Sequence, residues 1–280
     1  MASIARKLIL GTLGGGGPAL PLDGRSDVRL ALSDALKLRS AYSGPCRRIR
    51  LASNAVHDIG FSGDRIDRAD LYAKIGGASA WGLTRYDQSP AGSHFTQSTA
   101  AAQPRIADAG TVEQLGELPA DRYGLASGMG YMGSGFAMAQ PFTVIMTWMA
   151  LTAPVSAEHT LLGRESNGSS YVYAPASQVR VQAGIQIIPA GHTINVPQLF
   201  GFVFNGGASR IVVNGAAAGP LNPGSDALSN ILYLGYNSAA PARVLNGYMP
   251  ELIILSGAVD DADIVKIQRA IAAPRGIVIP

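Results

Sequence analysis

The 280-residue chain is apolar and weakly charged, with 47% hydrophobic residues, 15% charged residues and a formal net charge of +3. Its 34 glycines and 17 prolines predict many short strands and tight turns rather than long helices. The basic residues are scattered apart from "CRRIR" at 46–50, which argues against a nucleic-acid-binding surface, because such a surface needs clustered basic residues with aromatic residues between them.

The first 24 residues combine an apolar stretch with a run of glycines at 14–17. The apolar stretch is interrupted at Gly11, is far too short to span a bilayer, and is followed by no clear signal-peptide cleavage site. We expect an extended arm with a glycine hinge that becomes ordered only on a partner subunit. The residues expected to make this assembly contact are Ile4, Leu8, Ile9, Leu10 and Leu13.

Residues 25–110 hold the strongest local motifs of the chain. "SDVRLALSDALKLRSAYSG" predicts a helix at 27–39 and a turn before residue 46. "RRIRLA" alternates polar and apolar residues, which is typical of a half-buried strand. "DRADLYAKIG" predicts a short helix that Asp67 caps and that Gly76 or Gly77 ends.

Cys46 is the only cysteine, so a disulfide within the chain is impossible. No base lies near Cys46 in the sequence, and we interpret it as a small buried hydrophobe rather than a catalytic thiol. Stability must therefore come from packing or from assembly.

From Phe142 onward the strand pattern is clearer. "FTVIMTWMALT" is an almost continuous apolar run, as expected of a strand covered on both faces. "HTLLGRES", "SSYVYAP" and "QVRVQAG" predict three shorter strands, and "QLFGFVFNGGASRIVVNG" predicts a hairpin turning at Asn205-Gly206-Gly207. "NILYLGYN" and "GYMPELIILSG" predict the last two strands.

The clearest helix pattern is "DDADIVKIQRAIAA" at 260–273, where Asp260 can cap the first turn. Ile264, Ile267 and Ile271 fall on one face, so we expect this helix to pack on a sheet. Short strands separated by Gly/Asn turns predict a β-sandwich, and no repeat or heptad pattern favours a solenoid or a coiled coil.

The densest polar stretch is "RYDQSPAGSHFTQ" at 85–97. In a structural interpretation, Asp87 accepts backbone N–H groups of the following turn and Gln88 bridges two strands. A catalytic loop is a second interpretation. A third is a sugar-binding site built from groups that hold sugar hydroxyls or stack on sugar rings, namely Trp81, Tyr86, Asp87, Gln88, His94 and Gln97.

Five stretches within residues 36–110 resemble, in order, the catalytic domain of the α-L-arabinofuranosidase B family: "SAYSGPCRRIR", "HDIGFSG", "ADLYAKIGG", "RYDQSPAGSHFTQ" and "AAQPRIADAG". Residues 140–273 resemble a laminin-G or concanavalin A-like lectin sandwich. The resemblance implies an all-β fold: a concanavalin A-like/laminin-G β-sandwich, or jelly roll, with a few short helices, spanning residues 25–280 behind the arm.

The sequence differs from the arabinofuranosidases at the motifs that carry their adjacent cysteines and catalytic residues. "GGASAWG" lacks the family's adjacent cysteines, and Glu165 in "GRESNG" is a poor match to the nucleophile motif. No general acid stands in a Gly-Asp-Asn setting, although retaining hydrolysis needs two carboxyl groups about 5–5.5 Å apart. We therefore expect a retained fold without catalysis, and no catalytic residue is assigned.

Together the two regions resemble a domain of bacteriophage structural proteins. This resemblance implies a virion subunit of a fibre, spike or head decoration, located on the particle surface, which binds other virion subunits through its N-terminal arm. A host-surface glycan is a candidate further ligand. We expect a homo-oligomer, with a trimer as one candidate, and no nucleic acid or membrane partner. The alternatives are an active arabinofuranosidase and a secreted bacterial lectin-like module.

Other kinds of site lack their sequence patterns. The four histidines have no metal-ligand spacing, "GTLGGGG" lacks the Lys and Ser/Thr of a phosphate loop, and no Gly-x-Ser-x-Gly elbow occurs. We expect no cofactor and no bound metal. Ca²⁺ stays open as an alternative because lectin sandwiches often bind it, although no tight Asp/Asn ligand cluster supports it.

Overall fold

The computed structural model describes residues 19–126, 129–154, 158–164, 170–175, 177–238 and 242–279. The predicted assembly residues Ile4, Leu8, Ile9, Leu10 and Leu13 lie outside the described residues, as does Glu165. The end of the predicted arm is described, and there Leu22 is fully buried and its backbone N–H donates to the carbonyl of Leu38 at 3.0 Å. Leu22 therefore packs into an apolar core of this chain.

The described residues form mainly β-strands. The strands of the first half are β1 (Val28–Ser33), β2 (Arg47–Leu51), β3 (Val56–Ile59), β4 (Phe61–Ser62), β5 (Arg65–Ile66), β6 (Ala80–Arg85), β7 (Phe95–Thr96), β8 (Arg105–Asp108), β9 (Thr111–Val112), β10 (Gln114–Leu115), β11 (Leu118–Pro119), β12 (Arg122–Tyr123) and β13 (Tyr131–Ser134). The strands of the second half are β14 (Phe142–Ala150), β15 (His159–Arg164), β16 (Ser170–Ala174), β17 (Gln178–Gln182), β18 (Gln186–Gly191), β19 (Gln198–Phe204), β20 (Ser209–Val213), β21 (Ala216–Leu221), β22 (Ile231–Leu234) and β23 (Gly247–Ser256). The α-helices among the described residues are α1 (Arg68–Ile75) and α2 (Asp261–Ala272).

Antiparallel pairing joins most strands into a sheet that folds over on itself. One series runs β1–β23–β14–β19–β20–β21, and the other runs β3–β2–β6–β7–β13–β22–β15–β16–β17–β18. The pairings β6–β8, β8–β12 and β12–β23 connect the two series. Residues of both series share one large apolar core, so the predicted all-β sandwich is confirmed.

The central strands are buried on both faces, as the continuous apolar run predicted. In β14, Val144 and Met146 belong to the core between the two series, whereas Ile145 belongs to a second core. Helix α2 covers this second core with the face predicted from the sequence, since Ile264 and Ile267 are among its buried side chains. Burial on both faces accounts for the near absence of polar residues in β14.

The predicted helix at 27–39 is wrong, because this segment forms strand β1. β1 pairs antiparallel with β23, with Leu30 opposite Ile254 and Leu32 opposite Leu252. Its apolar side chains pack into both cores: Leu30 and Leu32 belong to one core, and Ala31 belongs to the other. Burial on both faces removes the polar–apolar alternation that marks a half-buried strand, and the remaining pattern resembles that of a helix.

Several local predictions are confirmed. Asp67 caps α1 by accepting the N–H of Asp70 at 3.0 Å, and Gly76 ends the helix with φ +56°. The strands predicted in "RRIRLA" and in the 198–214 hairpin form β2 and the β19–β20 pair. Where the helices are described, none is long and apolar enough to cross a membrane.

β18 and β21 each end one of the two series, whose other ends are β3 and β1. In the described residues, β18 pairs with β17 and β21 pairs with β20, so each has a second edge without a strand partner. Each contains a proline, Pro189 in β18 and Pro220 in β21. A proline lacks the backbone N–H that would donate to a further strand.

Candidate functional site

The polar stretch at 85–97 forms a buried corner that follows β6. The Asp87 carboxylate is 1% exposed and accepts four hydrogen bonds. Its Oδ1 accepts the N–H groups of Ala31 and Ser89, both at 2.8 Å, and its Oδ2 accepts the Ser89 hydroxyl at 2.6 Å and the Ser93 N–H at 2.9 Å. The interpretation of Asp87 as a turn-stabilising residue is confirmed by these contacts.

Two amide side chains fix the neighbouring backbone in the same way. Gln88 Oε1 accepts the N–H of Leu38 at 2.7 Å and its Nε2 donates to the carbonyl of Leu36 at 2.9 Å. Gln97 Nε2 donates to the carbonyl of Gly130 at 2.9 Å. Both amides are buried, and their donors and acceptors are used within the protein, as buried polar groups require.

The aromatic members of the predicted sugar site separate into two places. The rings of Tyr86 and His94 meet edge to face with centroids 4.9 Å apart at the surface of the corner. Trp81 lies five residues before Tyr86, roughly 16 Å away at about 3.3 Å per strand residue. Its ring stacks with the guanidinium of Arg50, whose Cζ lies 4.7 Å from the ring centroid.

A groove of about 540 Å³ lies beside Tyr86, between the turn before β2 and the β4–β5 hairpin. It is lined by Lys37, Tyr42, Ser43, Gly44, Pro45, Asp58, Gly60, Phe61 and Gly63. The rings of Tyr42 and Phe61 meet edge to face with centroids 6.3 Å apart. These two rings form the aromatic wall of the groove, and aromatic rings are the side chains on which sugar rings stack.

Asp58 connects the groove to the predicted Tyr86. The Tyr86 hydroxyl donates to Asp58 Oδ1 at 2.7 Å, and Arg48 donates from Nε and Nη2 to the two carboxylate oxygens at 2.8 and 2.7 Å. The Arg48 hydrogen bonds, reinforced by the one from Tyr86, hold the pKa of Asp58 below its ordinary value. The carboxylate is therefore charged and oriented at neutral pH.

The sequence interpretation missed the groove residues, although the signal was partly visible. Arg48 and Asp58 stand opposite each other in the β2–β3 pair, and a hairpin reading of "RRIRLASNAVHDIG" would have paired them. Tyr42 and Phe61 belong to stretches that carry the family resemblance. Their meeting depends on the path of the loop before β2, which has no local sequence pattern.

A buried cluster of charges lies directly beneath the corner. Asp34, Arg47, Arg85 and Asp121 are each fully buried. Arg47 contacts Asp121 through Nη2, and Arg85 Nε lies 2.9 Å from Asp34 Oδ1. Arg85 Nη1 also donates to the carbonyl of Met249 at 3.0 Å. The cluster thus joins the end of β1, β2, β6, the start of β12 and β23.

The two carboxyl groups of this cluster are sealed. Burial is the largest influence on Asp34 and, with repulsion from Asp121, raises its pKa to about 7 although Arg85 and Arg47 act against it. The Tyr131 hydroxyl donates to Asp121 Oδ2 at 2.5 Å. A Cβ at Gly82 would lie 1.8 Å from that hydroxyl, so no space for a substrate opens there. Both carboxyl groups are therefore closed to solvent in this structure.

Other predicted candidates occupy structural positions. Among the described residues no group of three His, Cys, Asp or Glu side chains is placed to hold a metal ion. Cys46 is fully buried, and that burial raises the pKa of its thiol to about 12, which fits a structural cysteine.

Comparison with known proteins shows similarity of structure only. No family model and no curated protein matches the chain. A variant of a GH54 α-L-arabinofuranosidase soaked with 4-nitrophenyl α-L-arabinofuranoside superimposes with a TM-score of 0.60 and 14% identity over 89% of this chain. An arabinofuranosidase complexed with arabinofuranosyl-α-1,2-xylobiose gives a TM-score of 0.52 and 14% identity over 88% of the chain.

These matches show that the chain has the β-sandwich fold of the GH54 enzymes. The matched region covers 63% of the first enzyme chain and 62% of the second, so this chain spans less than two thirds of their length. At 14% identity the likeness concerns the fold alone, since one fold carries many activities.

Proposed function

We propose that this protein is a non-catalytic carbohydrate-binding β-sandwich whose binding site is the groove between Tyr42, Asp58 and Phe61. The observation that carries the proposal is the composition of this groove. An aromatic wall stands beside a carboxylate that Arg48 and Tyr86 hold in place. Sugar-binding sites combine such apolar faces with a few fixed polar groups.

Two further observations support this proposal. The arabinofuranosidases with the same fold were solved with arabinofuranosyl ligands. The carboxyl pair of Asp34 and Asp121, in contrast, is closed to solvent, and Asp34 is held beside Arg85 rather than beside an open cleft. An exposed groove is therefore better placed than the buried carboxyl groups to meet a saccharide.

Replacing Tyr42 by Ala is expected to weaken saccharide binding about tenfold, because an aromatic contact contributes roughly 1.4 kcal/mol. A glycan array identifies the bound saccharides, and isothermal titration measures their affinity for the wild-type protein and the variant. Tyr72→Ala is the matched control, since Tyr72 is an exposed tyrosine on α1, 37% accessible and outside the groove. Thermal unfolding checks that both variants remain folded.

Two results would contradict the proposal. One is a glycan array on which the folded protein binds no saccharide. The other is release of 4-nitrophenol from 4-nitrophenyl α-L-arabinofuranoside at an enzymatic rate that Glu165→Gln abolishes. The second result would establish the glycoside hydrolase, for which the fold shared with the GH54 enzymes is the supporting observation.

We propose further that the protein is a bacteriophage virion subunit, in a fibre, a spike or a head decoration, displaying the sandwich on the particle surface. The support is the apolar sequence before residue 19, the 15% charged residues and the sequence resemblance to phage structural domains. In this proposal the apolar segment binds a neighbouring subunit, and the groove faces a host-surface glycan.

The assembly part of this proposal predicts a homo-oligomer that depends on the apolar segment. Leu10→Asp is expected to shift the protein to a monomer, because a charge placed in an apolar interface loses its hydration. Size-exclusion chromatography with light scattering measures the mass, and Ser3→Asp controls for an added charge in the same segment. A monomeric wild-type protein at micromolar concentration would refute the prediction.

A further inference from the structure

The charges around the groove do not balance. Lys37 and Asp58 are the charged residues that line it. The Asp58 carboxylate is already neutralised by the bidentate Arg48 guanidinium. Among the described residues, no carboxylate lies within ion-pair distance of the Lys37 ammonium group. One positive charge therefore remains uncompensated by the groove lining.

The backbone around Lys37 is firmly placed, although its side chain is partly exposed. The Lys37 N–H donates to the carbonyl of Asp64 at 2.8 Å, and the next residue, Leu38, donates its N–H to Gln88 Oε1 at 2.7 Å. The buried corner at 85–97 thus holds the segment that presents the ammonium group. Asp64 brings one exposed carboxylate to the hairpin tip, but it does not line the groove.

We infer that the groove takes an acidic saccharide, whose anionic substituent pairs with Lys37 while a sugar ring lies against Tyr42 and Phe61. This inference rests on the proposed function. The paired Asp58 carboxylate has both oxygens engaged by Arg48 and Tyr86, so it repels an anion less than a free carboxylate would. The lysine ammonium is a point charge that pairs with a carboxylate or a sulfate alike.

The sharpest probe pair is an oligogalacturonate and its methyl ester, which share the sugar backbone and differ in charge. Isothermal titration is expected to show the acid binding about fivefold more tightly than the ester, the size expected of one exposed ion pair. This preference should shrink as salt is raised, because exposed charges are screened. A sulfated oligosaccharide in a parallel titration distinguishes sulfate from carboxylate as the preferred anion.

Lys37→Met is expected to lower affinity for the acid about fivefold and so to remove the preference for the acid over the ester. Lys74→Met is the matched control, because Lys74 lies on α1 near Asp70 and outside the groove. Preference for either anionic probe, lost in Lys37→Met and kept in Lys74→Met, supports the inference.

Two results would overturn it, and they are distinguishable. Equal affinity of the wild-type protein for the acid, the sulfated probe and the ester, with binding weakened about tenfold in Tyr42→Ala, overturns the acidic ligand and leaves the proposed function intact. Binding of no saccharide at all by the folded protein overturns both. An anion preference that Lys37→Met retains overturns the role of Lys37.

Discussion

Arg47→Met is expected to lower the free energy of unfolding by about 3–5 kcal/mol, as removal of one partner from a buried ion pair does. Arg47 is fully buried and contacts Asp121. Without its guanidinium, two carboxyl groups would share an apolar interior with Arg85 as the one remaining cation of the cluster. Urea unfolding followed by circular dichroism measures the difference between the variant and the wild-type protein.

The adjacent residue of the same strand supplies the control. Arg48 pairs with Asp58, but each side chain is 41% exposed, and exposed ion pairs contribute at most about 1 kcal/mol. Arg48→Met should therefore leave stability almost unchanged. Equal destabilisation by the two substitutions would show that the buried cluster has no special role in the fold.

Asp87→Asn is expected to destabilise the protein by about 3 kcal/mol, because the amide can accept only part of what the carboxylate accepts. Asp87 receives hydrogen bonds from three backbone N–H groups, those of Ala31, Ser89 and Ser93. In the variant an NH₂ group would face donors on one side, and at least one buried N–H would lose its acceptor. Chemical unfolding again gives the measurement.

A comparison variant for Asp87 is Asp108→Asn. Asp108 pairs with Arg105, but its side chain is 59% exposed, so water can replace its contacts. We expect a change below about 1 kcal/mol there. If Asp87→Asn is as mild as this control, the corner does not depend on the carboxylate, and a direct ligand contact would become the better explanation for Asp87.

The strand predictions were correct where the residues of the strand or of its turn are enough to determine the local structure. The apolar run of β14 and the glycine turn between β19 and β20 determine their own structures. The same reasoning failed for β1, because its pairing partner β23 lies more than two hundred residues away in sequence and its two faces pack into two separate cores. A local window contains no information about that pairing.

Only part of the candidate site could be predicted, because only part of it is formed by residues that are close together in the sequence. The hydrogen bonds that Asp87 accepts from the following turn were predicted correctly. Gln88, which was predicted to bridge two strands, instead bonds the backbone of Leu36 and Leu38 in the segment after β1. The buried cluster draws its charges from positions 34, 47, 85 and 121, whose spacing follows no helical or strand period. The groove likewise forms only when the loop before β2 meets the β4–β5 hairpin.

The prolines of β18 and β21 affect whether copies of this protein can pair through the edges of their sheets. An exposed edge strand offers unpaired backbone N–H and C=O groups, and a strand of another molecule can pair with them to give fibrils or domain-swapped dimers. Pro189 and Pro220 each remove one backbone N–H donor from these two strands. We therefore expect neighbouring copies of the sandwich to resist strand pairing and strand exchange at β18 and β21.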